Sequence, residues 1–142
     1  MVLISEFICS AIGVSNVPAV FLRGMCISVQ LMVQLLAPMY GVDSEFATEV
    51  VRRESEWNIY AVGDDGDAVG LWQFHKPAFE TGYRLEYGAE VDWSAPDMRL
   101  DPEVSTRVAL RLIQEGYVEW WTAARQLMNE GQNWELAVGV NE

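Results

Sequence analysis

From residue 43 onward the hydrophobic positions recur at helical spacing. Asp43, Ser44 and Glu45 supply a capping side chain and a first-turn acid, and Phe46, Val50 and Glu54 follow four apart with Ala47 and Val51 beside them. The pattern predicts a helix over 43–57 whose apolar face ends in a carboxylate. Asp101, Pro102 and Glu103 form a second helix start, followed by the stripe Val104, Val108, Ala109, Leu112 and Ile113 to near Gly116. A third helical pattern covers 118–130 through Trp121, Ala124 and Met128 and closes at Gly131. Trp120 and Trp121 are adjacent there and cannot both face inward. Between these helices Asn58, Gly63, Asp64, Asp65, Gly66, Asp67 and Gly70 are turn residues, which predict a long turn or a small hairpin. Residues 71–79 resume an apolar and aromatic pattern in which Pro77 either starts or kinks a helix, and 81–100 read as an irregular surface loop anchored by Trp93. Strands are otherwise nearly absent, so the expected fold class is mostly α.

The N-terminal part is less patterned. Residues 1–24 are an apolar segment without a recognisable role, and 25–142 are taken as the domain. Residues 24–42 hold no charge over 19 positions, nearly enough to span a bilayer. Gln30 and Gln34 share one helical face, so a packed amphipathic helix fits as well as an anchor or leader remnant, and membrane contact through 24–42 is not favoured. The first basic residue is Arg23, which does not match the positive start of a secretory leader. Cys9 and Cys26 form either a disulfide or two buried thiols.

The chain has 142 residues, 51% of them hydrophobic and 21% charged, which suits one ordered domain. Its net charge is −12, all of it beyond residue 42, because 1–42 contain only Glu6 and Arg23. Such a field repels phosphate backbones, so no nucleic-acid partner is expected. His75 is the single histidine, which removes Cys and His zinc sites and leaves Ser and Cys nucleophiles with one possible base. There is no glycine-rich phosphate loop, and neither a metal nor a cofactor is expected.

Glu54 is the residue best suited to chemistry. On the apolar side of a helix its carboxyl loses hydration, and in the last turn it meets the negative end of the helix dipole, so its pKa should rise. A carboxyl protonated near neutrality can donate a proton to a leaving oxygen, as the general acid of a glycosidase does. The alternative is a Glu54 that turns to the surface or pairs with an arginine; Glu56 points away as a solvated acid. Asp64, Asp65 and Asp67 are either a solvated turn or the source of a second carboxylate, and calcium binding is disfavoured because His75 stands where an EF-hand needs its last acid. Trp57 and Trp72 flank Glu54 in sequence and are candidates for stacking on a sugar, with Ser55 a hydrogen-bonding neighbour.

The stretch from Glu54 to Phe74, ESEWNIYAVGDDGDAVGLWQF, resembles the signature of the soluble lytic transglycosylase and goose-type lysozyme group, in the lysozyme-like superfamily. The matching positions are Glu54, Ser55, Asn58, Ala61, Gly66, Ala68, Gly70, Leu71 and Gln73, and a weaker likeness extends to about Leu127. The resemblance implies a lysozyme-like domain that acts on peptidoglycan glycan strands, with Glu54 catalytic and Ser55, Gln73, Trp72, Trp57 and Tyr60 binding substrate. It also implies cleavage of the β-1,4 bond between N-acetylmuramic acid and N-acetylglucosamine with a 1,6-anhydromuramoyl product. The expected place of action is the cell envelope, the extracellular space or a phage particle, as with an endolysin. Two other readings stand beside it: a hydrolytic lysozyme or chitinase-like enzyme using a second Asp, and a non-catalytic glycan-binding or virion module. The chain departs from the pattern at Gly63, where many relatives carry Ser, in lacking a clear Tyr-Asn-x-Gly segment near Val138 to Asn141, and in its negative charge.

Overall fold

The computed structural model describes residues 19–130. Among the described residues, five α-helices and two small two-stranded antiparallel sheets make up a mostly helical, lysozyme-like domain. In chain order they are β1 (Ala19–Leu22), β2 (Met25–Ser28), α1 (Val29–Leu36), α2 (Ser44–Ser55), β3 (Val62–Gly63), β4 (Ala68–Val69), α3 (Lys76–Tyr87), α4 (Pro102–Gln114) and α5 (Thr122–Asn129).

The first hairpin was not expected. Ala19 lies opposite Ser28 and Leu22 opposite Met25, around a turn in which Arg23 (φ 50°) and Gly24 (φ 79°) are both left-handed. Two positive φ values in a two-residue turn match the twist of the paired strands. The 24/25 position, taken from the sequence as a boundary, is this turn. The uncharged run is therefore strand, helix and 3-10 turn in succession, and no helix among the described residues is long and apolar enough to cross a membrane. In α1, Val29, Met32, Val33 and Leu36 are buried, while Gln30 and Gln34 face out as their spacing implies. Ser28 caps this helix by accepting a bond from the Leu31 N–H. Cys26 is disulfide-bonded; Cys9, the other cysteine of the chain, lies outside the described residues, as do residues 1–18, Gly131 and the 138–141 segment.

The capped helices begin where the sequence places them. Asp43 accepts from the Phe46 N–H at 2.9 Å, and Asp101 accepts from both the Glu103 and Val104 N–H groups at 3.0 Å. Two other expectations need correction. Residues 81–100 are not one loop, because α3 continues to Tyr87 and stops at the left-handed Gly88. Thr81 and Gly82 look like breakers but sit inside the helix: the Thr81 hydroxyl bonds back to the Pro77 carbonyl, and Gly82 is buried against α4. A Cβ at Gly82 would lie 2.6 Å from a Val108 methyl, so the glycine sets how closely the two helices approach. The pattern over 118–130 is also broken, into a 3-10 turn (Val118–Trp120) and α5, with Trp121 in extended conformation between them.

The core joins both ends of this chain segment. Phe46, Val50, Trp72, Phe74, Phe79, Leu110 and Trp121 belong to one buried cluster. Trp121 packs edge-on against Trp72 (5.9 Å) and Phe74 (5.5 Å), and its indole N–H donates to the Trp72 carbonyl at 2.9 Å. These contacts hold the start of α5 against the segment after the second hairpin.

Candidate active site

Glu54 occupies the last turn of α2, one turn beyond the fully buried Val50 and Val51. Its carboxyl is half-buried and reaches across to α5, where Oε1 accepts from the Ala123 N–H at 3.4 Å. The α5 N-terminus has no side-chain cap of its own, so Glu54 supplies an acceptor to one of its unpaired N–H groups from another helix. Three influences act on the carboxyl. Loss of hydration raises its pKa, the Ala123 N–H opposes that, and the charge of Asp64 adds to the rise; the net shift is upward.

Arg53 holds this arrangement. It donates to Glu49 within α2 at 3.0 Å and forks onto both oxygens of Glu130, just past α5, at 2.8 and 2.9 Å. The same charge cluster, led by the Arg52 hydrogen bond, lowers the Glu49 pKa to about 2. The arginines flanking Glu54 are thus engaged elsewhere, and Glu54 pairs with neither.

The turn residues after Glu54 are held in place by close backbone contacts. Gly70 has φ +86°, and a Cβ there would meet the Arg99 carbonyl oxygen at 2.1 Å. Arg99 is buried, bonds the Asp67 and Phe74 carbonyls through Nη1 at 3.1 and 2.9 Å, and is neutralised by Asp97. No local pattern marked this side chain, which ties the second hairpin to the strand-like residues that follow it. The Gly70 N–H also donates to the Ala61 carbonyl at 2.9 Å, which closes the loop.

Gln73 is half-buried and faces a cavity of about 350 Å³ lined also by Phe74, His75, Ala78, Glu119, Trp120, Trp121 and Arg125. Both hydrogens of its amide are used, on the Ala61 (3.1 Å) and Gly70 (3.0 Å) carbonyls, so Oε1 alone remains for another donor. A Cβ at Gly63 would fall 2.6 Å from that oxygen, so the glycine leaves room for this rotamer. Glu54 is not among the residues lining this cavity; Trp121, which lines it, is two residues from Ala123, and His75, which also lines it, bonds Asp64 at 2.8 Å.

Other sequence candidates are placed differently. Trp72 is completely buried, its indole N–H donating to the Thr106 hydroxyl at 3.1 Å, so it is a core residue and not a stacking platform. Ser55 is likewise buried, with its hydroxyl spent on the Val51 carbonyl at 3.1 Å. Trp57 is half-buried against the core. Tyr60 is 69% exposed but lines a separate cavity of about 400 Å³ beside β1 and the start of α4. Of the aromatic residues lining the Gln73 cavity, Trp120 is the exposed one at 47%, while Phe74 and Trp121 are buried. The adjacency of the two tryptophans was the available signal; His75 and Arg125 carried none. Asp64, Asp65 and Asp67 are exposed, and no cluster able to hold a metal exists among the described residues.

A helical domain in which a half-buried glutamate at a helix end overlooks a glycine-shaped turn is a lysozyme-like architecture. The transglycosylase SLT domain model matches residues 32–139, and the chain belongs to that family, whose activity is lytic transglycosylation of peptidoglycan glycan strands. No match was found among curated proteins or among solved structures.

Proposed function

We propose that this protein cleaves the β-1,4 bond between N-acetylmuramic acid and N-acetylglucosamine, with Glu54 as the single acid and base. The observation that carries the reading is the half-buried Glu54 carboxyl, which desolvation shifts toward its neutral form while it accepts from the Ala123 N–H. Glu54 donates its proton to the bridging oxygen as the C1–O bond breaks through an oxocarbenium-like transition state. The resulting carboxylate gains from the Ala123 N–H and the positive end of α5, which favour the anion. It then removes the proton of the muramoyl C6 hydroxyl, whose oxygen closes on C1. The product is a 1,6-anhydro sugar, Glu54 is reprotonated and no water is consumed.

A hydrolytic route needs a second carboxylate to direct water. Asp64 is the acid whose charge reaches Glu54, and its carboxylate is engaged by His75, which favours the internal attack. Gln73 and Trp120 are assigned to the glycan groove, in place of Trp72 and Ser55. The site of action follows the substrate: the cell envelope, its exterior or a phage particle that breaches it.

Purified peptidoglycan incubated with the protein should release anhydromuropeptides, identified by mass. Glu54→Gln keeps the side-chain shape, removes the transferable proton and should lower turnover by about 10²–10⁴-fold or more. Fragments heavier by one water would replace transglycosylation with hydrolysis, and undiminished turnover by the variant would remove Glu54 from the chemistry.

A further inference from the structure

Of the three acids in the turn after β3, Asp64 is the one whose charge acts on Glu54. Its place is set first by the backbone. Asp64 and Asp65 are both left-handed (φ 49° and 56°), a conformation that aspartate tolerates better than most residues, and the Asp67 N–H closes the turn on the Asp64 carbonyl at 3.2 Å. The side chain is then held by His75, whose Nε2 lies 2.8 Å from Oδ2. An ionised carboxylate only accepts, so the hydrogen of this bond sits on Nε2.

His75 is itself fixed by its neighbours. Val69 and Phe74 exchange both backbone bonds at 3.1 Å, and the Phe74 ring packs edge-on against Phe79 (5.4 Å) and Trp121 (5.5 Å). At the entrance of α3 the imidazole makes no capping bond and is turned to Asp64 instead. The neighbouring cations are used elsewhere: Lys76 lies over the Trp93 ring at 4.8 Å, and Arg99 is bonded to Asp97. The His75 and Asp64 side chains are 49% and 69% exposed, so their pairing contributes little to stability. Its consequence is directional. One oxygen of Asp64 is occupied, and the carboxylate is turned toward the start of α3.

Resting on the reading of Glu54 as the glycosidic acid, we propose that His75 is a positioning residue that decides the product of the reaction by restraining Asp64. Two nucleophiles compete for C1 once the leaving oxygen has taken the Glu54 proton. The muramoyl C6 hydroxyl belongs to the same sugar, an advantage of proximity, and gives its proton to Glu54 as its oxygen closes on C1. Water needs a base of its own: its oxygen bonds to C1 while its proton passes to a carboxylate, for which Asp64 is the available group. Held by His75, Asp64 is kept from that task and the ring closes on itself. Released, it can direct water, and hydrolysis enters. The chain is thus a transglycosylase that carries a restrained hydrolytic base.

The test is digestion of purified peptidoglycan by the full chain, with the ratio of reducing muramic ends to 1,6-anhydro ends read by mass, since the two differ by one water. His75→Ala should raise that ratio about 10-fold or more, the yield of a general base brought into use. His75→Gln, whose amide N–H can take the place of Nε2, should keep part of the restraint. Asp64→Asn added to His75→Ala should return the ratio to that of the native chain. Because both side chains are exposed, none of these changes should move the thermal midpoint appreciably. A merely structural role for His75 would lower total turnover and leave the ratio unmoved. An unchanged ratio in His75→Ala, a rise that survives Asp64→Asn, or loss of all cleavage at an unaltered thermal midpoint overturns the role of His75 and leaves Glu54 standing. Mainly reducing ends from the native chain overturn it as well, together with the 1,6-anhydro product. Undiminished cleavage by Glu54→Gln instead overturns the reading of Glu54 itself.

Discussion

Glu54 depends on a balance between two opposed effects. Burial favours the protonated carboxyl, and the Ala123 N–H opposes that by donating a hydrogen bond to the carboxylate. The raised pKa has a consequence for stability. Below the unfolded carboxyl pKa, near 4.5, Glu54 is neutral in both states and the burial of its carboxyl carries no charge penalty. As pH rises toward the folded pKa, the native state retains more protons than the unfolded chain, so stability falls, and above that pKa the loss is complete. Glu54→Gln should therefore be at least as stable as the native sequence at neutral pH, with the difference closing below about pH 4.5, as followed by thermal melts across pH. Gly70 presents the opposite case, a residue with no chemistry and no tolerance. Its positive φ and the 2.1 Å approach to the Arg99 carbonyl mean that Gly70→Ala should destabilise by about 2 kcal/mol or more in denaturant titrations.

At the scale of elements, the site is a junction between α2, α5 and the second hairpin. α5 is only two turns long and lacks a local side-chain cap, so its place is set by Trp121 in the core, by Glu54 at its start and by the Arg53–Glu130 fork at its end. Arg53→Met removes the fork. The expected loss of stability is small, since the pair is solvent-screened. Turnover should fall more than substrate affinity, because Glu54 loses its fixed distance to Ala123; steady-state kinetics on soluble glycan fragments separates the two. The α4 cap is a contrasting element. Asp101 accepts two N–H bonds remote from Glu54, and Asp101→Ala should cost about 1 kcal/mol in chemical unfolding with the catalytic constants unchanged.

Across the whole molecule, acidic groups outnumber basic ones 21 to 9, and many basic groups are committed to ion pairs. Glu49, Glu90 and Glu130 are all held below the ordinary carboxyl range by arginines. Their contribution to stability is present above the unfolded value of 4.5 and is lost as pH falls toward the folded one, about 2 for Glu49. The sign is opposite to that of Glu54, and Glu49→Gln should flatten the loss of thermal midpoint between about pH 5 and 2.5. Features carried by neighbours in sequence were legible beforehand: the Asp43 and Asp101 caps, the apolar stripe ending in Glu54, and the glycine turn that carries the family likeness. Each depends on backbone and side-chain preferences within a few residues, which a linear pattern records. The hairpin at 19–28, the burial of Trp72, the anchoring of the turn by Arg99 and the union of Gln73 with Trp120 and Arg125 left no such trace. They arise from contacts between residues distant in the chain, such as Glu54 and Ala123, 69 positions apart. Which tryptophan is covered follows from how the helices pack and so emerges once the chain has folded.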